Sequence, residues 1–202
     1  MSSRDTVLGR IRAALDGGAK PPEVPRAYRR TFDPPDLDLL ADRLTDYKAT
    51  VHRGADPSTL IAAILPADAR VVVPPGLPDE WLPSTVVALR DDGLSHDDIA
   101  NADGVVTGAA VAVAETGTIV LDGSPDQGRR VVSLLPDLHI CVLRAEQVVA
   151  AVPEAVARLD PRRPLTWISG PSATSDIELN RVEGVHGPRN LHVILLEEAS
   201  DE

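Results

Sequence analysis

Cysteine is almost missing from this chain of 202 residues, where Cys141 is the one thiol. A single thiol cannot close an internal disulfide, and it leaves no set of thiolates for an iron–sulfur cluster or a structural zinc. No cofactor and no metal are therefore expected in this chain. Aromatic residues supply only 2% of the composition against 43% hydrophobic residues overall, so the core has to be built from Val, Leu, Ile and Ala. That composition favours parallel strands covered by helices. Positive charge is also short. The net charge of −11 repels phosphate backbones and anionic headgroups, which argues against nucleic acid and membrane surfaces as partners. No segment reaches the roughly 20 apolar residues that a membrane crossing requires. The first turns carry Arg4, Asp5, Arg10 and Arg12 where a signal peptide would be apolar, so a cytoplasmic protein is expected.

What is present is first punctuated by proline and arginine. Ser3 is placed to cap a helix on which Val7, Leu8, Ile11 and Leu15 share a face, with Gly17 and Gly18 ending it. Residues 20–35, with the run PPEVPRAYRRTFDPP, resist regular structure and read as an extended connector, either a flexible linker or a clamp on a ligand. Two units are expected: a helix and arm over 1–35, and an α/β domain over 36–202. Basic residues cluster at Arg26, Arg29 and Arg30, and again at Arg129, Arg130, Arg162 and Arg163, where any acidic ligand would find its charge partner.

Beyond the arm, helix and strand patterns alternate. Leu37, Leu40, Leu44 and Tyr47 mark one helical face, a short strand is centred on Val51, and Asp56 caps a helix through Leu65. The run RVVV at 70–73 reads as a buried strand closed by Pro74, Pro75 and Gly76, and 85–89 as another. Residues 103–121 (DGVVTGAAVAVAETGTIVL) read as two strands joined near Gly108, followed by a loop at 122–128. Further strands are expected at 131–135 and 140–143, and a helix at 145–159 with Pro153 as a kink. In the last third a strand at 165–169 turns at Gly170 and Pro171 into a short helix, capped by Ser172 or Thr174 and running to about Arg181, before a final strand at 191–196.

Two segments, AETGTIVL at 114–121 and GPSATSDIELNRVEGVHGPRNLHVILL at 170–196, closely resemble the lactate utilisation protein C family of LUD-domain proteins. The resemblance implies an α/β fold with a mostly parallel sheet flanked by helices, like the ribose-phosphate isomerase and CoA-transferase superfamily. It also implies a part in oxidising L-lactate to pyruvate alongside iron–sulfur partner proteins. The scarcity of cysteine fits electron transfer residing in those partners.

Several residues could carry chemistry. Backbone amides at the expected helix start, with the hydroxyls of Ser172, Thr174 and Ser175, either bind a small carboxylate such as lactate or simply cap the helix. Asp176 and Glu178 in its first turns are given supporting roles, where the helix dipole favours carboxylates. His186, in the loop GVHGPR, is either a general base for a hydroxy acid or a histidine bonded within its loop, and Arg189 is the candidate carboxylate clamp. Glu115 with Thr116 and Gly117 resembles the place where CoA-transferases keep a nucleophilic glutamate; Glu115 either acts so or pairs with Arg129 or Arg130. No G-x-G-x-x-G and no P-loop ending occur, and His52, His96, His139 and His192 lack metal-ligand spacing. Cys141 lies in an apolar run and reads as an inert core residue. Three roles remain open: an accessory subunit of lactate oxidation, an acyl- or phosphoryl-transfer enzyme using Glu115, and an interaction module docking through the proline-rich arm.

Overall fold

A computed structural model describes residues 2–16, 18, 23–27, 29, 32–174, 182–183 and 187–197. In chain order the elements are α1 (Ser3–Leu15), α2 (Leu37–Asp46), β1 (Thr50–Gly54), α3 (Pro57–Ile64), β2 (Arg70–Val73), β3 (Val87–Arg90), α4 (His96–Ala100), β4 (Gly104–Thr107), β5 (Val111–Val113) and β6 (Thr118–Leu121). They continue with β7 (Leu138–Arg144), β8 (Val148–Val149), α5 (Val152–Arg158), β9 (Thr166–Ile168), β10 (Ala173–Thr174), β11 (Val182–Glu183) and β12 (Asn190–Leu196).

Six strands form one wholly parallel sheet in the order β1–β12–β7–β4–β2–β3. Parallel strands must be covered on both faces, which is why β4 and most of β7 are buried along their length. On one face Leu40 and Leu44 of α2 pack with Leu143, Val193 and Leu195, while on the other Ile61 of α3 packs with Val71, Ile140 and Ile194. Fully burying each such side chain stabilises the fold by about 1.5–3 kcal/mol. Asp36 caps α2 and Asp56 caps α3 with Oδ–N distances of 2.9–3.3 Å, as the turn chemistry of aspartate favours. The mostly parallel sheet flanked by helices is thus observed. Part of the α2 face is covered by a second sheet, in the order β8–β5–β6–β9, whose Ala112, Ile119 and Leu121 join the same core. α5 packs through Ala155 on the outer side of that sheet.

The local readings need five corrections. Residues 103–121 hold three strands, because the chain turns again at Glu115–Gly117. The expected strand at 131–135 is a single 3₁₀ turn (Arg130–Ser133) that drops Val132 into a core with Val72, Ile99 and Val105. The expected helix at 145–159 begins only at Val152, because Val148 and Val149 pair with Ala112 and Val113; Pro153 sits in its first turn, where no amide is missed. α1 is capped by Ser2, with Asp5 reciprocating, rather than by Ser3. Ala173 and Thr174 pair antiparallel with Glu183 and Val182, so Ser172 caps no helix, while the stretch 175–181, where a helix capped by Thr174 is expected, lies outside the described residues.

The topology has one reversal. From β2 the chain steps outward to β3, then returns across β2 to β4 and proceeds to β7 and β12. In open α/β sheets such a reversal leaves a crevice beyond the carboxyl ends of the two strands that flank it, and that crevice is where ligands bind. Among the described residues no helix is long and apolar enough to cross a membrane.

Candidate functional site

The crevice between β2 and β4 is built by the residues that follow those strands. β2 runs into Pro74, Pro75 and Gly76, and β4 into Gly108, while the loop at 122–128 crosses above them. It is fastened at both points: the amide of Gly76 donates to the Pro125 carbonyl at 2.9 Å, and that of Gly108 to the Asp126 carbonyl at 2.8 Å. Both glycines are required by this approach, since a Cβ on Gly76 would lie 2.5 Å from the Pro125 side chain and one on Gly108 would collide with the Asp126 carboxylate. Within the loop, Gln127 accepts from the Asp122 amide at 2.6 Å, and Arg163 pairs with the Asp122 carboxylate at 2.9 Å.

Beside this loop lies a cleft of about 610 Å³, with Pro75, Leu121, Pro125 and Pro164 among its walls and Arg129, Arg130 and Ser133 on one side. The two arginines are in different electrical states. Arg129 forks onto the buried carboxylate of Asp91, with Nε–Oδ2 at 2.8 Å and Nη2–Oδ1 at 2.7 Å, and those hydrogen bonds hold the Asp91 carboxyl below its usual range. Arg130 donates to Ser133 Oγ at 3.2 Å and has no carboxylate partner among the described residues. Beneath, His139 is 1% exposed and its Nε2 lies 2.8 Å from Thr107 Oγ1. Burial, and then the charge of Arg130, push the His139 pKa down to about 4, so the ring is neutral at physiological pH.

Those residues singled out in the sequence that the structure describes lie at the opposite, amino-terminal edge of the sheet. Glu115 is exposed at the turn between β5 and β6. Thr116 Oγ1 donates to Thr118 Oγ1 at 2.8 Å, and Thr118 Oγ1 lies 2.9 Å from Ser169 Oγ, the residue just before the second motif segment. Gly117 (φ +60°) and Gly170 (φ +92°) both press on the end of α2, where added Cβ atoms would lie 2.6 Å from Arg43 Cβ and from the Tyr47 carbonyl. The Ser172 amide donates to the Pro188 carbonyl at 2.8 Å. Arg189 forks onto Asp137, at 2.6 and 2.9 Å, just before β12 and β7 begin. Thr174 belongs to β10, while Ser175, Asp176, Glu178 and His186 lie outside the described residues. Neither arginine expected beside Glu115 pairs with it: Arg129 is held by Asp91 and Arg130 by Ser133.

Sequence reasoning missed the cleft, whose walls come from four separate stretches of chain. Its one trace was the basic cluster containing Arg129, Arg130 and Arg163. A histidine pair was missed as well: His52 and His192, on neighbouring strands, stack with centroids 5.2 Å apart and ring nitrogens at 2.9 Å, and burial lowers both pKa values. Cys141 is fully buried in β7, and burial pushes its thiol up to about 12, in keeping with an inert core residue.

Fold and crevice together define an α/β domain of the doubly wound kind with a second sheet packed on one face. The LUD domain model matches residues 88–196, more than half of the chain, and the chain belongs to that family. It is 52% identical over 167 residues to lactate utilization protein C of Deinococcus radiodurans, covering 79% of each chain. A protein of the same name from Bacillus licheniformis is 33% identical over 119 residues, which is 55% of this chain and 48% of the relative. A crystal structure of a DUF162 family protein from Deinococcus radiodurans superposes with a TM-score of 0.68 at 42% identity, covering 80% of this chain and 96% of that one.

Proposed function

We propose that this chain is a component of a lactate utilisation system in the cytoplasm, serving the oxidation of L-lactate to pyruvate as an accessory subunit. In this role it binds a small carboxylate or the iron–sulfur partner proteins, and the redox step resides in those partners. The observation that carries the reading is the 52% identity, over 79% of both chains, to a protein named for lactate utilisation. The composition supports it, because one buried cysteine offers no ligand set for a cluster within the chain. Deletion of the gene should abolish growth on L-lactate, and a plasmid copy should restore it. Unimpaired growth in a strain without a redundant system would remove the assignment.

A second reading, acyl or phosphoryl transfer with Glu115 as nucleophile, is favoured by the exposure of that carboxylate beside the hydroxyls of Thr116, Thr118 and Ser169. It requires turnover by the purified chain that Glu115→Gln abolishes, whereas the accessory role requires none.

A further inference from the structure

The cleft over the strand reversal stands apart from the motif residues at the other edge of the sheet, and its charges do not balance. Its Arg129 is neutralised within the fold by Asp91, as Arg163, next to the lining residue Pro164, is by Asp122. Arg130, exposed at the side of the cleft, has no carboxylate partner among the described residues, although acidic side chains outnumber basic ones in a chain of net charge −11. Its guanidinium is already oriented by Ser133, whose side chain is nearly buried, and the adjoining Asp91–Arg129 fork fixes the backbone immediately before it. Much of the remaining wall is apolar, from Pro75, Leu121, Pro125 and Pro164, with Ser124, Gln127 and Thr166 adding polar groups to the space that an anion bound to Arg130 would share.

We propose that this cleft binds a monocarboxylic organic acid, with the carboxylate on Arg130 and Ser133 and the carbon body against the proline and leucine walls. A planar guanidinium can meet a carboxylate through two parallel N–H donors, and the apolar part of the lining favours an anion that carries a carbon body over inorganic phosphate. The volume, about 610 Å³, lies within the range of small-molecule sites and exceeds what a three-carbon acid fills, so affinity rises with the apolar carbon of the acid. The inference deepens the lactate reading by giving the carboxylate a place, and it rests on that reading only for the identity of the natural ligand.

The test uses the full chain, with pyruvate, L-lactate, 2-oxoisocaproate and inorganic phosphate as probes in calorimetric titrations. Wild type should bind the three organic acids, 2-oxoisocaproate most tightly, and Arg130→Gln should weaken each at least tenfold. Arg130→Lys should recover part of the loss, and Arg158→Gln on α5, which removes the same charge from a surface outside the cleft, should leave binding as in wild type. The His139 ring resonances, reporting on the Arg130 charge above them, should shift on titration in wild type and not in Arg130→Gln. Equal binding in Arg130→Gln, absence of binding by every organic acid, or binding of phosphate alone would overturn the proposal. So would a loss confined to Arg189→Gln, which would move the carboxylate to the opposite edge. The lactate reading fails separately: a deletion strain that grows normally on L-lactate refutes it even if Arg130 binds the acids, and a deletion strain that cannot grow sustains it even if Arg130 does not.

Discussion

His139 is neutral because nothing near it stabilises a charge: it is enclosed in β7, bonded to the Thr107 hydroxyl and overlooked by Arg130. Its folded pKa of about 4 lies below the usual 6.5, so the unfolded chain takes up a proton over a range in which the native chain does not. The contribution is fully present above pH 6.5 and is lost as pH falls toward about 4, where it amounts to a loss on the order of 3 kcal/mol. His52 and His192, also shifted down by burial, act in the same direction. Denaturation midpoints measured from pH 7 to pH 4 should therefore fall steeply in wild type and less steeply in His139→Asn. Asp91 offers a second test at this scale. Asp91→Asn removes the negative charge and one of the two acceptor oxygens facing Arg129, and should destabilise the chain by about 1.5 kcal/mol in urea titrations, the size of a hydrogen bond to a charged group.

Among the elements, the turn between β5 and β6 and the segment after β9 are each seated against the end of α2 through a glycine. Gly117 and Gly170 both have positive φ and both abut α2, so Gly170→Ala adds left-handed strain to a collision with the Tyr47 backbone. A loss of about 3 kcal/mol is expected, read from the urea midpoint. The apolar runs at 70–73 and 191–196 read correctly as strands, because both faces of a parallel strand need apolar residues. Val148 and Val149 read as helix because their strand partners, Ala112 and Val113, are distant in sequence, and pairing across the fold overrode local propensity. Away from the cleft, Thr118 of the first motif segment meets Ser169, the residue just before the second, a proximity that depends on the pairing of β6 with β9. The cleft was hidden for the same non-local reason: Asp91 selects Arg129, while Arg130 has no carboxylate partner among the described residues, a distinction between adjacent arginines that only the fold makes.

Across the molecule, stability and the N-terminal arm separate. α1 has no buried residue, and Val7, Ile11 and Leu15 face solvent at 50–71% exposure, so it contributes nothing to the core that begins at α2. Removing residues 1–35 should change the unfolding free energy by less than about 0.5 kcal/mol, checked by urea titration of the truncated chain. If the arm docks a partner, the same truncation should abolish co-purification with the lactate oxidation proteins while the truncated chain stays folded. The order of the main sheet places β12, the final strand, between β1 and β7. During synthesis the first strand therefore waits beside a gap that only the last residues can fill, for roughly ten seconds or more at ribosomal speed. The nascent chain holds an open, hydrogen-bond-hungry edge through that interval, and a ribosome stalled short of Asn190 would release a sheet split in two and ready to aggregate.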